Sequence, residues 1–277
     1  MQFVQAERET FSLPCRKRDA HKGNFGRVYI LAGSVGYTGA PVFAANAAVR
    51  TGSGLVFLGV PENIWSIVAV RCSEAMPHPL TMEPDEVLER MRPCDAVLVG
   101  PGLGLGAGEL VRHLVPRIER PLVLDADGLN ALAGHVDLLD RRTAPTVLTP
   151  HEGEFARLTG CSLPVANRPE AALTFAKAHN CIVVLKGHRT ITAAPDGRVW
   201  INTTGNPGMA KGGSGDVLAG MILSLMGQGF EPAESAAMAV WLHGRAGDLA
   251  ACRLGEYSMT PTDLLAELPQ AMLELSE

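Results

Sequence analysis

The sequence of 277 residues has no basic tract and no long run of apolar residues. Its 24 Lys and Arg are outnumbered by 29 Asp and Glu, so the formal net charge is −5. This balance disfavours nucleic acid or an anionic membrane surface as the main partner. The most apolar stretch, residues 217–226, is too short to span a bilayer, and the first residues lack the apolar segment of a secretory signal.

Closely spaced cysteines are missing as well. The six cysteines lie at positions 15, 72, 94, 161, 181 and 252, and no two are fewer than 20 positions apart. This spacing excludes CxxC redox motifs and paired zinc ligands. A chain of this length can build its own core and does not need a disulfide framework. We therefore expect a soluble cytoplasmic protein in a reducing compartment.

Aromatic residues are few, whereas glycine is abundant. The chain has 8 Phe, 3 Tyr and 3 Trp but 30 Gly, which is about 11% of its length against a usual value of about 7%. The glycines follow no period, so a collagen-like fibre is excluded. They form short clusters instead of a flexible linker, which indicates tight turns with a functional role.

Short apolar runs alternate with helical patterns along most of the sequence, which is typical of a parallel sheet covered on both faces. We predict strands over residues 27–32, 55–60, 96–100, 122–125, 146–148 and 181–186. Helices are predicted over 41–51, 62–71, 109–118, 152–159, 169–179, 216–227, 232–251 and 262–275. The Pro-Asp-Gly turn at 195–197 predicts a hairpin. The alternation favours one α/β domain over residues 1–277, with 1–20 as a short N-terminal extension.

The strongest local signal is the segment 205–216, which we call the anion loop. It contains five glycines and leads directly into a helix with one apolar face. Free backbone N–H groups at such a helix start, at Gly213, Ser214 and Gly215, form a site for phosphate or a developing anion. Asp216 stands in the first turn of that helix. A first-turn acid often only stabilises the helix, but beside so many glycines we predict a chemical role for Asp216.

Two further glycine clusters follow predicted strands. The cluster at 33–39 fits neither the P-loop nor the dinucleotide fingerprint, so a ligand loop and an ordinary strand-to-helix turn are equally compatible with it. The cluster at 100–106 has four glycines in seven residues and follows an apolar strand. Ligands of open α/β sheets bind beyond the carboxyl ends of strands, so this loop is the better candidate for close backbone approach to a ligand.

Polar residues also follow three predicted strands. Residues 125–130 supply two carboxylates and an amide, and residues 149–154 supply a histidine and two acids. Such carboxylates near phosphates hold Mg²⁺ directly or through water, although helix capping is an equally good explanation for any one of them. The basic turn at 186–190 could contact phosphate or stack on a base, and a solvated turn is its alternative.

Taken in order, these segments resemble the ribokinase-like superfamily and, within it, the NAD(P)H-hydrate dehydratases. The resemblance runs from about residue 20 to 275. Its motifs are Gly33-Ser34 to Ala40-Pro41, Gly100-Pro101-Gly102-Leu103-Gly104, Asp125-Ala126-Asp127-Gly128-Leu129-Asn130, Thr149-Pro150-His151-Glu152-Gly153-Glu154, Lys186-Gly187 and Asn206-Pro207-Gly208-Met209 to Gly215-Asp216. It implies a three-layer α/β/α sandwich and a lyase that dehydrates the S epimer of hydrated NADH or NADPH, coupled to hydrolysis of ADP or ATP with Mg²⁺.

The resemblance also implies roles for individual residues. Substrate contacts fall on Ala40, Gly102, Gly104, His151 and Asp216. By the same resemblance, the adenine nucleotide would be bound by Lys186, Gly187, His188, Arg189, Thr190 and Gly215. Glu154 would organise Mg²⁺ through water, and Lys211 receives no role. Epimerisation is expected from a separate NAD(P)H-hydrate epimerase, and a homo-oligomer, as a tetramer, is expected for the chain itself.

The implied chemistry agrees with the residue types. Hydroxide is a poor leaving group, and phosphorylation converts its loss into loss of phosphate. Asp216 can accept the hydroxyl proton while the backbone N–H groups of the anion loop stabilise the transferring oxygens. Two other functions use the same residues: a kinase of a thiamin-precursor alcohol, which releases a stable phosphorylated product, and a nucleotide-binding sensor, which would not need Asp216 as a base.

Overall fold

The apolar runs predicted as strands lie inside one ten-stranded sheet. The computed structural model describes residues 2–276. Its strands are β1 (Gln2–Ala6), β2 (Arg27–Leu31), β3 (Leu55–Pro61), β4 (Met76–Leu80), β5 (Ala96–Val99), β6 (Leu122–Leu124), β7 (Thr146–Leu148), β8 (Ile182–Leu185), β9 (Ile191–Ala193) and β10 (Arg198–Asn202). Its α-helices are α1 (Gly39–Arg50), α2 (Glu62–Ala69), α3 (Pro84–Met91), α4 (Gly108–Leu114), α5 (Asp127–Asn130), α6 (Glu152–Thr159), α7 (Arg168–Ala178), α8 (Ser214–Gly227), α9 (Pro232–Leu254) and α10 (Pro261–Ser276).

The strand order is β1-β10-β9-β8-β7-β6-β5-β2-β3-β4. The strands from β8 to β4 in this order are all parallel. Only β9 runs antiparallel to its two neighbours, β8 and β10, and β9 and β10 form the predicted hairpin. The mostly parallel sheet predicted from the sequence is therefore confirmed.

The inner strands are mostly apolar because both of their faces are buried. In β2, Val28 and Ile30 belong to the core on one side of the sheet, and Tyr29 and Leu31 belong to the core on the other. Helices α1, α8, α9 and α10 contribute to the first core. Helices α4, α6 and α7 contribute to the second. The result is the three-layer α/β/α sandwich of the ribokinase-like fold.

Four of these strands and helices were not predicted from the sequence, namely β1, β4, α3 and the one-turn helix α5. Strand β4 has the sequence Met-Pro-His-Pro-Leu and lies at the sheet edge. Proline has no backbone N–H, and an edge strand tolerates it because one side of the strand needs no ladder hydrogen bonds. Helix α3 is mostly polar, with only Val87 and Met91 buried. Strand β1 pairs in parallel with β10, so the segment predicted as an N-terminal extension contributes the other edge strand.

The topology determines where a ligand can approach. From the neighbouring strands β2 and β5 the chain proceeds in opposite directions across the sheet. Such a switch point leaves a crevice beyond the carboxyl ends of the two strands. The glycine clusters at 33–39 and 100–106 follow β2 and β5, so both border this crevice. Among residues 2–276, no helix combines the length and the apolar character needed to cross a bilayer.

Candidate active site

The centre of the candidate site is a lysine surrounded by carboxylates. Lys186 follows β8, and its Nζ lies 2.8 Å from Asp125 Oδ1 and 3.9 Å from Glu154 Oε2. The side chains of Asp125 and Glu154 are only 2% and 7% exposed. Burial alone would lower the pKa of Lys186, but the charges of Asp125, Glu154 and Asp216 outweigh it and raise the pKa. The ammonium group is therefore kept charged.

Asp216 lies in the first turn of α8, beside this cluster. Its pKa is raised to about 7, mainly because the carboxyl group is buried. The negative charge of Asp125 and, to a smaller extent, that of Asp127 also raise the pKa, whereas the positive charge of Lys186 lowers it. A carboxyl group with a pKa near neutrality can accept and release a proton under physiological conditions. Asp216 is thus suited to the general-base role predicted for it.

Asp125 and Asp127 point to different partners because the residue between them has an unusual conformation. Ala126 has φ 48° and ψ −113°, which is costly for a residue with a Cβ. Asp125 accepts hydrogen bonds from Lys186 Nζ at 2.8 Å and from Thr149 Oγ1 at 2.7 Å. Asp127 Oδ2 accepts from the N–H of Gly104 at 2.8 Å. The strained turn therefore holds one carboxylate on the lysine and the other on the glycine loop.

The anion loop presents unpaired backbone donors. The N–H of Ser214 donates to the carbonyl of Lys211 at 3.2 Å, and the N–H of Val217 donates to Gly213. Among the described residues, the N–H groups of Gly213 and Gly215 have no partner within the protein. A Cβ at Gly215 would lie 3.4 Å from Lys186 Nζ, so the lysine lies beside the start of α8. Of the three residues predicted for the anion hole, Gly213 and Gly215 have free donors, whereas the N–H of Ser214 is engaged.

His151 and Glu154 form the start of α6. The Nδ1 of His151 accepts from the N–H groups of Gly153 and Glu154, and Glu154 Oε2 accepts from the N–H of His151 at 2.8 Å. These acceptor bonds require Nδ1 to be unprotonated, so a neutral His151 carries its proton on Nε2. The side chain is 54% exposed and can donate from Nε2 to a ligand. His151 therefore caps α6, a role not predicted for it from the sequence, and can contact a ligand at the same time.

The two glycine loops beside the crevice touch each other. Ser34 Oγ donates to the carbonyl of Gly102 at 2.8 Å. A Cβ at Gly102 would lie 2.9 Å from the Cβ of Ala40, and a Cβ at Gly104 would lie 3.2 Å from Ser34 Oγ. Only glycine allows this approach, which gathers Ala40, Gly102 and Gly104 beside Asp127. The structure thus brings together the backbone residues predicted to contact the substrate.

The turn predicted to bind the nucleotide, residues 187–190, lies beyond Lys186. His188 and Arg189 are exposed, and Arg189 has φ 54°. The hydroxyl of Thr190 donates to the carbonyl of Gly187 at 3.0 Å and so closes the turn. The imidazole of His188 and the guanidinium of Arg189 are therefore accessible to a nucleotide.

Three positioning residues were missed by sequence reasoning. Arg168, at the start of α7, donates to the carbonyls of His188 at 2.8 Å and Leu185 at 3.0 Å, and so fixes the nucleotide turn. Asp248 of α9 accepts from the N–H of Gly205 and from the Asn206 amide, both at 3.0 Å. Burial lowers the pKa of His243 to about 4, so this ring beside the backbone of Ser214 is neutral. Each acts across a long sequence separation, and no local pattern marks any of them.

The donor chemistry of the cluster fits a Mg²⁺ ion that a nucleotide brings with it. Within residues 2–276, no three His, Cys, Asp or Glu side chains are grouped as a metal cage. Mg²⁺ is commonly held by phosphates and water with one or two carboxylates. Glu154 offers a buried carboxylate of this kind, although one oxygen already accepts from His151. Glu154 is therefore suited to a contact through water rather than to direct ligation.

Comparison with known proteins gives a consistent result. The family described as NAD(P)H-hydrate dehydratase matches residues 28–270. A bifunctional NAD(P)H-hydrate repair enzyme of Moorella thermoacetica is 44% identical over 96% of this chain, and the match covers 52% of that protein. The chain thus spans about half the length of such relatives. An ADP-dependent (S)-NAD(P)H-hydrate dehydratase of Neisseria meningitidis is 38% identical, over 84% of this chain and 80% of that protein.

Solved structures agree. The ADP/ATP-dependent NAD(P)H-hydrate dehydratase of Bacillus subtilis, co-crystallised with ATP and Mg²⁺, has a TM-score of 0.84 and 32% identity, with 99% of both chains covered. A hydroxyethylthiazole kinase of Pyrococcus horikoshii has a TM-score of 0.61 at 17% identity, which shows a shared fold alone. The family match and the relatives together lead to one conclusion: this chain belongs to the NAD(P)H-hydrate dehydratase family.

Proposed function

We propose that this protein dehydrates the S epimer of hydrated NADH or NADPH, coupled to hydrolysis of ADP or ATP. The observation that carries the proposal is the geometry at the start of α8. There a carboxyl group with a pKa of about 7, Asp216, stands beside unpaired N–H groups of the anion loop and the charged Lys186. This is the set of groups needed to remove a hydroxyl proton and to stabilise a transferring phosphoryl group.

The proposed reaction has two steps. In the first, the substrate hydroxyl gives its proton to Asp216 and its oxygen attacks the terminal phosphorus, while the nucleotide leaves with one phosphoryl group fewer. The N–H groups of Gly213 and Gly215 stabilise the negative charge on the transferring oxygens. In the second step the C–O bond breaks, phosphate departs with the bonding electrons, and the neighbouring carbon loses a proton to water. The lone pair of the ring nitrogen assists this elimination.

In the proposal the substrate and the nucleotide meet at Asp216. Ala40, Gly102, Gly104 and the Nε2 of His151 border the hydrated nicotinamide. The nucleotide lies along Lys186, Gly187, His188, Arg189, Thr190 and Gly215. Mg²⁺ held by the nucleotide phosphates would neutralise part of their charge, and Glu154 would contact it through water. The name of the Neisseria relative supports ADP as a co-substrate.

We propose that an NAD(P)H-hydrate epimerase activity supplies the S epimer, since several relatives are named as bifunctional repair enzymes. We also propose a homotetramer, on the resemblance to the family, which analytical ultracentrifugation would measure. The six cysteines are all free, which supports the proposed cytoplasmic location.

The proposal is tested by incubating the protein with hydrated NADH, Mg²⁺ and either ADP or ATP. The expected result is growth of NADH absorbance, with one phosphate released for each NADH formed. A stable phosphorylated organic product, when thiamin-precursor alcohols are supplied instead, would favour the kinase. Nucleotide binding without turnover of either kind would favour the sensor and contradict the proposal.

The pH dependence of the reaction follows from the pKa of Asp216. Because the base must be unprotonated, kcat/KM for hydrated NADH should rise with pH, with a midpoint of about 7. Asp127→Asn should move the midpoint to lower pH, because the Asp127 charge raises the pKa of Asp216 while an Asn amide oxygen can still accept from Gly104. Initial rates from pH 5.5 to 9 in both proteins measure this. A flat profile between pH 6 and 8 would contradict the assignment.

A further inference from the structure

The anion loop rests on the turn that joins α9 to α10, residues 255–260. A Cβ at Gly208 would lie 2.5 Å from Met259 Sδ and 2.7 Å from the carbonyl oxygen of Glu256. A Cβ at Gly213 would lie 3.1 Å from Pro261, the first residue of α10. The loop therefore contacts this turn at Gly208 and the first residue of α10 at Gly213, one on each side of Lys211.

Lys211 provides a polar link between the same two segments. Its Nζ donates to the carbonyl oxygen of Tyr257 at 2.8 Å and to that of Met259. Both acceptors are main-chain oxygens more than 40 positions away in sequence. A charged donor makes stronger hydrogen bonds than a neutral one, and two acceptors fix its direction. The backbone of Lys211 also accepts from the N–H of Ser214, at the start of α8.

The turn is a firm support. Met259 is fully buried and packs with Ala250 and Leu264 between α9 and α10. The next residue, Thr260, donates from its N–H and its hydroxyl to Asp263, at 2.8 and 2.7 Å, and so closes the first turn of α10. A group anchored to the Met259 carbonyl is thus anchored to two packed helices.

We propose that Lys211 is a positioning residue for phosphoryl transfer: its ammonium group cross-links the anion loop to residues 255–260. The inference rests on the proposed function, because the role of the cross-link is to hold Asp216 and the N–H groups of Gly213 and Gly215 in place for the proposed reaction. Lys211 does not touch the reacting atoms. It acts by fixing its own backbone carbonyl, which accepts a hydrogen bond from the N–H of Ser214 and so positions the first turn of α8.

The kinetic consequence of the cross-link is specific. Displacement of the donors by less than 1 Å lowers the rate of transfer on the order of 10- to 100-fold, because alignment matters more in the transition state than in the bound state. The KM values depend mainly on groups outside the anion loop and should change less. Loss of Lys211 should therefore lower kcat and leave both KM values within about threefold.

The test compares Lys211→Met, which keeps an unbranched side chain but removes the donor, with Lys211→Arg, which can still donate to two carbonyls. Lys177→Met, an exposed lysine of α7, serves as the control for loss of one positive charge. We expect a loss of kcat of at least about tenfold in Lys211→Met, near-complete recovery in Lys211→Arg and no change in Lys177→Met. Propylammonium should partly restore Lys211→Ala, whereas tetramethylammonium, which has no N–H donor, should not.

Hydrogen exchange of the amides at 212–217, followed by mass spectrometry, measures the cross-link without any assay of turnover. Exchange should be faster in Lys211→Met and normal in Lys211→Arg. Unchanged kcat and unchanged exchange in Lys211→Met would overturn the inference. A wild-type protein that shows no turnover would contradict the proposed function instead, and the exchange experiment would still decide whether Lys211 holds the loop.

Discussion

Asp216→Asn is expected to lower kcat for dehydration by about 10³-fold or more, which is within the range of a lost general base. An Asn amide keeps the size of the side chain but cannot accept the hydroxyl proton. The donors of the anion loop and Lys186 remain, so binding of the nucleotide should change little. The loss should thus fall on kcat and not on the KM for ADP or ATP.

The same substitution is expected to stabilise the protein at neutral and alkaline pH. The pKa of Asp216 rises from an ordinary value of 3.8 to about 7 on folding, so the folded protein favours the protonated form. The stability that the protonated Asp216 side chain contributes is fully present below pH 3.8 and is lost as the pH rises through 7. Because Asn is never ionised, Asp216→Asn should raise the free energy of unfolding at pH 8 by on the order of 2 kcal/mol.

Both effects are measured on the same preparations, by stopped assays of NADH formation and by urea unfolding at pH 5 and pH 8. Asp137→Asn, which changes an exposed aspartate paired with Arg141, is the matched control. It should leave kcat and both unfolding curves unchanged. An Asp216→Asn protein with at least one tenth of the wild-type rate would refute the general-base assignment. Reduced stability at pH 8 would contradict the burial that raises the pKa.

The sequence was informative wherever a feature is local. The apolar runs predicted the central strands because strands buried on both faces carry an unbroken pattern. The glycine clusters at 100–106 and 205–216 predicted two loops of the candidate site, because close backbone approach requires glycine. The cluster at 33–39 was equally compatible with an ordinary turn. Asp216 was found because it directly follows such a cluster at a helix start.

Features that depend on pairing across the chain were not predictable. Lys186 was predicted to contact a phosphate, and nothing near it in sequence indicates Asp125, its partner 61 positions earlier. Lys211 had no predicted role because its two acceptors are backbone carbonyls, which any sequence could supply. Strand β4 was missed for a different reason: two prolines disfavour a strand, and only its place at the sheet edge permits them.

Lys186→Met is the second substitution with a large expected effect. It removes the charge that offsets Asp125, Glu154 and Asp216, and leaves the first two buried without a cationic partner. Removing one member of a buried ion pair costs about 3–5 kcal/mol, so the variant should be markedly less stable than the wild type. It should also lose kcat/KM for the nucleotide by about 10²- to 10³-fold, since the phosphates lose a charged partner.

A second variant separates stability from activity. Lys186→Met combined with Asp125→Asn removes both charges of the pair, and the Asn oxygen can still accept from Thr149. We expect this double variant to regain at least about half of the lost stability, while its turnover stays as low as that of the single variant.

The pair of variants also tests the link between Lys186 and Asp216. The ammonium charge lowers the pKa of Asp216, so Lys186→Met should move the pH midpoint of the residual activity above 7. Asp125→Asn acts in the opposite direction, because the Asp125 charge raises that pKa. The double variant should therefore have a midpoint below that of Lys186→Met. A midpoint that is the same in all these proteins would show that Lys186 does not tune the base, and that its role is confined to binding phosphate and to the stability of the fold.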